Sequence, residues 1–489
     1  MTEKAKIVWV YLLTSLFLVI NFYLVLQKDV YWFFLLPIVL VILVYYLISL
    51  DKILLFITFL TPFAVVLMDV EGGLGVSLPT EPLMFGVLLL FVANLIFEQR
   101  YDKKISTHPI SYIIYLSLFW MMFTSATSEL PLVSFKYFLS RLWFVVPFYF
   151  VAAIMFKKVS NIKKFMWLYL SALAIVVVYT LIQHQKYGFE EEAGHWIMSP
   201  FYNDHTAYGA ALAMFIPVSL GFILFPGSTK NQRIFALTLF VILIVGIIFS
   251  YGRAAWISVV VALAVLVFIL LRIKFWVLAL SFGIFVGTFF TFQHQILDRL
   301  SKNKQDSSAN FAEHLQSITN ISSDASNLER INRWQAAIRL YEERPIVGWG
   351  PGTYQFVYSP FQSSQEKTII STNLGDQGNA HSEYLGPLAE MGIPGMLLIL
   401  ILVTFVIISG LRVYKYGDIN VKFLVLMALL GLITYFTHGF LNNFLDTDKL
   451  SVPFWGFIAI IVALETYHLP SGTTGSGVDL ESNPKPVTD

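Results

Sequence analysis

The sequence predicts an all-α polytopic membrane protein of about 12 to 14 transmembrane helices, with a large, partly helical loop between the eleventh and twelfth spans. Three observations predict it. The composition is 57% hydrophobic and only 13% charged, with a mean hydropathy of +0.71, whereas a soluble domain has about a quarter of its residues charged. The apolar residues fall in runs of roughly twenty, the length that carries a helix across a bilayer core. The longest polar interruption is confined to residues 293–393.

Taken in order, the expected spans are 7–26, 30–49, 53–69, 80–97, 109–125, 138–156, 164–184, 207–225, 233–249, 255–271, 275–292, 394–411, 421–440 and 451–467. Helix-ending residues separate them, among them Asp51, Gly72-Gly73, Pro109 and Pro226-Gly227. The first run, from Ile7 to Leu26, has no small-residue cleavage site and reads as a retained span. Five regions follow. Residues 1–200 are N-terminal spans, 201–292 are spans carrying Arg253, 293–393 are the loop, 394–467 are C-terminal spans, and 468–489 are a polar, disordered tail.

Basic residues give the orientation. One set of short loops, from Lys4 to Lys422, carries about seventeen Lys and Arg, and the opposite set carries about five. The bias puts both termini in the cytoplasm and the 293–393 loop outside. With no cysteine in the chain, disulfides, thiol nucleophiles and Cys-ligated metals are excluded. A net charge of +1 and the lack of a basic tract give no footprint for nucleic acid.

Within the loop, Leu328–Glu343 reads as an amphipathic helix with Ile331, Trp334, Ala337, Ile338 and Tyr341 as its apolar stripe. Pro345 stops it and GWGPG (348–352) turns the chain. A second helix is expected from near Asn379 or Ser382 through Glu390, and MGIPG (391–395) leads into the next span.

Several side chains could carry chemistry. Arg253, in SYGRAAW at the outer end of a span, is either an anion clamp or a cation reaching for lipid headgroups. Arg330 stands one turn before Trp334 on the amphipathic helix, with Arg333 beside it. Both belong to a clamp or to a solvated face with Glu329, Arg339 and Glu342. His381 is a base, an orienter or a loop histidine, with Glu383 and Tyr384 as polar neighbours. His205, Asp204 and Asn203 line a vestibule, or Asn203, Asp204 or Thr206 caps a helix. Arg141 is an intramembrane cation and a substrate-binding candidate by default. Asp446-Thr447-Asp448 spells a D-x-D, a weak signal for a divalent metal.

The order SYGRAAW, R-x-x-x-W, RPIVGWGPGTY and NAHSEYLGPLAEMGIPG closely resembles the O-antigen ligase family, which includes O-antigen and exopolysaccharide polymerases. The resemblance covers roughly residues 200–445. It implies a membrane glycosyltransferase of the bacterial inner membrane, acting at its periplasmic face in lipopolysaccharide biosynthesis. The donor would be a glycan on undecaprenyl diphosphate, and the acceptor most simply lipid A–core. The transfer would be inverting, without metal or cofactor. The resemblance further places the essential arginines on Arg253 and Arg330 and the essential histidine on His381, with Arg333 as the fallback for Arg330. Arg333, Trp334, Tyr384, Glu383, His205 and Arg141 would bind substrate. Many relatives have His-Asn where this chain has His381-Ser382. A polymerase, with a second lipid-linked glycan as acceptor, fits the same residues. A transporter or flippase is the reading from a different class. No internal repeat favours it, and the polar candidates gather at one face.

Overall fold

The computed structural model describes residues 3–28, 31–35, 37, 46, 49–67, 75–97, 102–272, 283, 325–364 and 378–470. The polar segment 298–324 and the tail beyond residue 470 therefore lie outside the described residues, as do all of the expected span 275–292 but residue 283 and most of the expected span 30–49. The chain divides into two compact units, Met1–Phe56 and Ile57–Asp489.

The first unit contains α1 (Glu3–Lys28) and a 3-10 turn at Trp32–Leu35, with Phe17 stacked on Phe33 at 5.7 Å. Helix α2 (Leu50–Leu60) then leads into the second unit. The expected span 53–69 is not a continuous helix. A 3-10 turn at Thr61–Phe63 follows α2, and Val65–Leu67 pairs antiparallel with Val76–Leu78, Val65 opposite Leu78. Pro62 has no N–H to give a helix, and the β-branched valines after it suit a strand. Lys449 holds this turn, donating to the carbonyls of Thr61 and Ala64 at 2.8 and 2.6 Å.

Ten helices among the described residues are long and apolar enough to cross a membrane. They are α3 (Thr80–Phe97), α4 (Pro109–Ala126), α5 (Pro131–Met155), α6 (Val159–Gln185), α7 (His205–Leu224), α8 (Lys230–Ile248), α9 (Arg253–Leu270), α11 (Leu385–Tyr416), α12 (Ile419–His438) and α13 (Asp448–Tyr467). Helix α10 (Ala325–Glu343) belongs to the loop region. The protein is thus an all-α multi-pass membrane protein. Helix α13 is the axis of the packing, buried along nearly its whole length. It touches α5, α11 and α12, and α12 in turn packs on α7, α9 and α11. Outward-facing Leu89, Ile96, Val241, Val260, Leu270, Leu397 and Phe405 stay exposed, as lipid-facing side chains do.

Because the spans alternate in direction, one end of the bundle collects the starts of α5, α7, α9, α11 and α13 and the ends of α4, α6, α8 and α12. The residues that could do chemistry gather there. The opposite end is held by ion pairs. Glu465 takes Arg412 at 2.6 Å and meets His108 at 3.4 Å, and Lys157 bridges Asp102.

Helix α10 forms where periodicity predicts it, but it buries a different stripe. Glu329, Asn332, Arg333, Ala336, Ala337 and Leu340 are buried, while Ile331, Ile338 and Tyr341 are half-buried. Arg333 Nε donates to Glu329 Oε1 at 2.7 Å, and its guanidinium lies 4.7 Å from the Tyr358 ring centre. Pairing and stacking compensate the loss of water from both charges. Around this face Ala337, Leu340, Tyr354, Tyr358 and Ala380 form a core with Ala389 from the first turns of α11.

The two glycine-rich motifs lock together through their backbones. Trp349 N–H donates to Ala389 O at 3.1 Å, Gly350 N–H to Glu390 O at 2.8 Å, and Ile393 N–H to Pro345 O at 2.9 Å. Gly348 sits at φ +66°, where a Cβ would stand 2.3 Å from the Glu390 carbonyl carbon. Gly392, at φ +67° in the kink of α11, would place a Cβ 2.2 Å from Ile346 O. Neither neighbour is a side chain that could swing away. Gly348→Ala is therefore expected to destabilise the protein by at least about 2 kcal/mol, read as a drop in the unfolding midpoint of the purified membrane protein.

Candidate functional site

Helix α9 begins at Arg253 because the turn before it is tightly fixed. Tyr251 adopts φ +50° and its hydroxyl donates to Phe189 O at 2.8 Å. Trp256 Nε1 reaches back to Ile247 O at 2.7 Å. The Arg253 guanidinium thus emerges at a helix N-terminus, whose free N–H groups add positive potential.

Arg330, on α10, comes close enough to Arg253 for the two charges to act on one another. Burial and Arg253 together lower its pKa to about 10, against the opposing pull of Asp204. The guanidinium still carries its charge at neutral pH. Two arginines sharing a partly buried space favour an anion between them.

His381 lies within electrostatic reach of Arg330. Its backbone lies at φ +48°, a conformation that side chains rarely adopt. Asn379 and Trp334 hold it there. The His381 N–H donates to Asn379 Oδ1 at 3.1 Å, and Trp334 Nε1 donates to the His381 carbonyl at 3.4 Å. Such strain persists where surrounding contacts over-determine it. Burial, followed by the charges of Arg330 and Arg333, lowers the His381 pKa to about 4. The imidazole is therefore neutral at physiological pH and able to take a proton.

Ser382, beside His381, does local work. Its Oγ accepts from the N–H groups of Tyr384 and Leu385, both at 3.3 Å, and so seats the start of α11.

Asp204 is the cap that opens α7. Its Oδ1 accepts from Thr206 N–H, Ala207 N–H and the Thr206 hydroxyl at 2.7, 2.8 and 2.5 Å. Asn203 is exposed. Asp204 also acts electrostatically on Arg330, His205 and His381. His205 stacks on His195 with ring centres 4.3 Å apart and feels both Arg330 and Arg253. His438, absent from the sequence reading, ends α12 in the same neighbourhood, within reach of Arg330 and Asp204. It is buried, and neither ring nitrogen has a hydrogen-bond partner among the described residues.

Arg253, His381 and His205 thus each lie within electrostatic reach of Arg330. Arg333 is not a solvated side chain. Its ion pair with Glu329 and its contact with Asn379 O at 3.4 Å spend it on holding the His381 loop. Trp334 serves the same loop.

Arg141, Glu383 and Tyr384 face a second space, a cavity of about 250 Å³ between α4, α5, α11 and the 443–446 loop. Arg141 donates to Leu445 O at 2.9 Å and to the Tyr137 hydroxyl at 2.8 Å. Glu383 Oε1 accepts from the Tyr435 hydroxyl and from the N–H groups of Phe444 and Leu445, at 2.6, 2.8 and 3.0 Å. Tyr384 spends its hydroxyl on Phe436 O at 2.9 Å. Asp446 is exposed and opens onto the cavity.

The D-x-D does not assemble. Asp448 is 1% exposed and receives the Thr80 hydroxyl at 2.5 Å, while Asp446 faces the cavity. An i, i+2 spacing across a helix start turns the two carboxylates to different surroundings.

The fold and this cluster define a multi-pass membrane protein with a cation-rich polar site at one end of its helices. Residues 238–400 match the family model Wzy_C, described as O-Antigen ligase, so over that segment the chain is similar to the O-antigen ligase family. The segment contains Arg253, Arg330 and His381. The match supports glycosyl transfer of the O-antigen ligase or polymerase type by a membrane protein. No curated protein matches the chain.

Proposed function

We propose that the protein performs an inverting, metal-independent glycosyl transfer at the periplasmic face of the bacterial inner membrane. A glycan would move from undecaprenyl diphosphate to a hydroxyl of lipid A–core. The observation that carries this reading is that Arg253 and His381, far apart in sequence, each lie within electrostatic reach of Arg330 at one end of the bundle.

The chemistry follows from those groups. The two guanidinium forks hold the diphosphate oxygens of the donor. His381 accepts the proton of the acceptor hydroxyl as its oxygen attacks the anomeric carbon. The new bond forms opposite the leaving group, so the configuration inverts. The bond from the anomeric carbon to the diphosphate oxygen breaks, and its electron pair leaves on the diphosphate. Arg253 and Arg330 stabilise that growing charge. The diphosphate is already an activated leaving group, so no nucleotide is required. His205 and Asp204 order the rim of the cluster, and Asp204 limits the electrostatic cost of two adjacent cations.

The test is transfer by purified protein in lipid, with an undecaprenyl-diphosphate-linked glycan as donor. Lipid A–core and a second molecule of donor are supplied as separate acceptors. Product on lipid A–core supports ligation. Product only on the second donor molecule makes the enzyme a polymerase. Activity is expected to survive excess EDTA unchanged, and its loss would reopen metal-assisted chemistry.

A further inference from the structure

The cavity beside the catalytic cluster has a composition that the donor site does not explain. Its charged lining is Arg141 against Glu383, Glu390 and Asp446, so acids outnumber bases. A diphosphate is repelled there, whereas hydroxyl groups donate well to carboxylates. The wall also offers unused polar atoms. Asn443 Oδ1 and Trp455 Nε1 are buried, line the cavity and have no hydrogen-bond partner among the described residues. Buried polar atoms of this kind are normally satisfied by water or a ligand. Aromatic faces of Tyr137 and Trp120 stand among them. Below this polar head the lining becomes aliphatic, with Ile114 and Leu118 of α4 facing Leu398 and Leu402 of α11. Leu402 is well inside its span. The cavity is therefore polar at the end of the bundle and hydrocarbon-like toward the membrane interior.

We propose that this cavity binds the acceptor as a sugar-headed amphiphile, its hydroxyls on Asp446, Asn443, Glu383 and Trp455 and its hydrocarbon chain between α4 and α11. The identification of the occupant as acceptor rests on the glycosyl-transfer reading above. Position supports it. Asn379, Ala380 and Ser382 line the cavity and flank His381, so a hydroxyl held there adjoins the proposed base. The donor and acceptor then approach His381 from two spaces of opposite electrostatic character, which keeps each substrate out of the other's place.

The experiment uses the full-length protein in lipid nanodiscs and two probes of equal chain length, n-dodecyl maltoside and lauryl dimethylamine oxide. Binding is followed by tryptophan fluorescence, since Trp120 and Trp455 line the cavity. Saturable binding of the maltoside but not the amine oxide is expected. Asp446→Asn, which keeps the side-chain shape, is expected to weaken that binding by about ten- to a hundredfold. The same variant should raise the acceptor KM by a similar factor and leave the donor KM unchanged. Equal binding of both probes, or an Asp446→Asn protein with unaltered maltoside affinity, overturns the proposal. Transfer activity without selective maltoside binding overturns this proposal and leaves the catalytic reading standing. Selective binding in a protein that transfers nothing supports the cavity assignment and removes the catalytic reading.

Discussion

Arg330→Ala should lower kcat by about a hundred- to a thousandfold, the usual effect of removing one preorganised group that meets charge developing on a leaving group. Arg330→Lys should recover part of the loss, because it restores the charge but not the two-pronged geometry. The stability of the ligand-free protein should respond in the opposite sense. Burial and Arg253 lower the Arg330 pKa, so keeping it charged carries a cost that its removal relieves. Its removal is expected to leave the unfolding midpoint unchanged or raised, as strained functional sites allow. Arg333, three residues away, should behave inversely. Arg333→Ala leaves Glu329 buried without its 2.7 Å partner, a loss of about 3 to 5 kcal/mol. Activity then falls with folded protein and not through kcat alone. Measuring kcat, donor KM and thermal unfolding for both variants separates the roles. An Arg330→Ala enzyme with full activity would end the diphosphate-clamp assignment.

The contrast between these two arginines also marks how far sequence reasoning reaches. Hydropathy locates the spans because a bilayer demands runs of apolar residues. It fails at residues 53–69, where the run stays apolar but Pro62 and the valines after it turn helix into hairpin. Periodicity finds α10 yet misplaces its buried face. A pattern that counts apolar residues does not register that Glu329 and Arg333 neutralise one another. Motif order singles out Arg253, Arg330 and His381, whose place at one end of the bundle depends on helix direction: α9 and α11 both begin at the end where α10 lies. Asp204 is legible as a cap, but its reach to Arg330 and His381 is a tertiary fact. His438 had a signal that went unused, since an ionisable residue at the end of an apolar run is a functional candidate by default. Nothing local separates Asp446 from Asp448. Only the packed structure sends one to a cavity and the other to Thr80.

Replacing His381 by alanine should lower kcat/KM by about a hundred- to ten-thousandfold, the range of a lost general base. The pH profile tests the environment as well as the residue. Burial, then Arg330 and Arg333, depresses the pKa of this imidazole to about 4. The proton-accepting form therefore persists through the acid range in which an ordinary histidine charges, near 6.5. The acid limb of kcat/KM, which reports the free enzyme, is expected near pH 4 and not near 6.5. Removing a neighbouring positive charge makes the imidazolium easier to form. Arg330→Gln should therefore raise the His381 pKa, while burial, its largest cause, keeps it below the ordinary value. Imidazole NMR of the variant reads that shift even where turnover is weak. An acid limb at 6.5 in the wild-type enzyme, or a His381 resonance that ignores Arg330→Gln, would mean that the guanidinium and the imidazole do not share the site. The two-arginine, one-histidine mechanism would fall with it, because a base held neutral beside its own anion clamp is what lets deprotonation and leaving-group departure occur in one place.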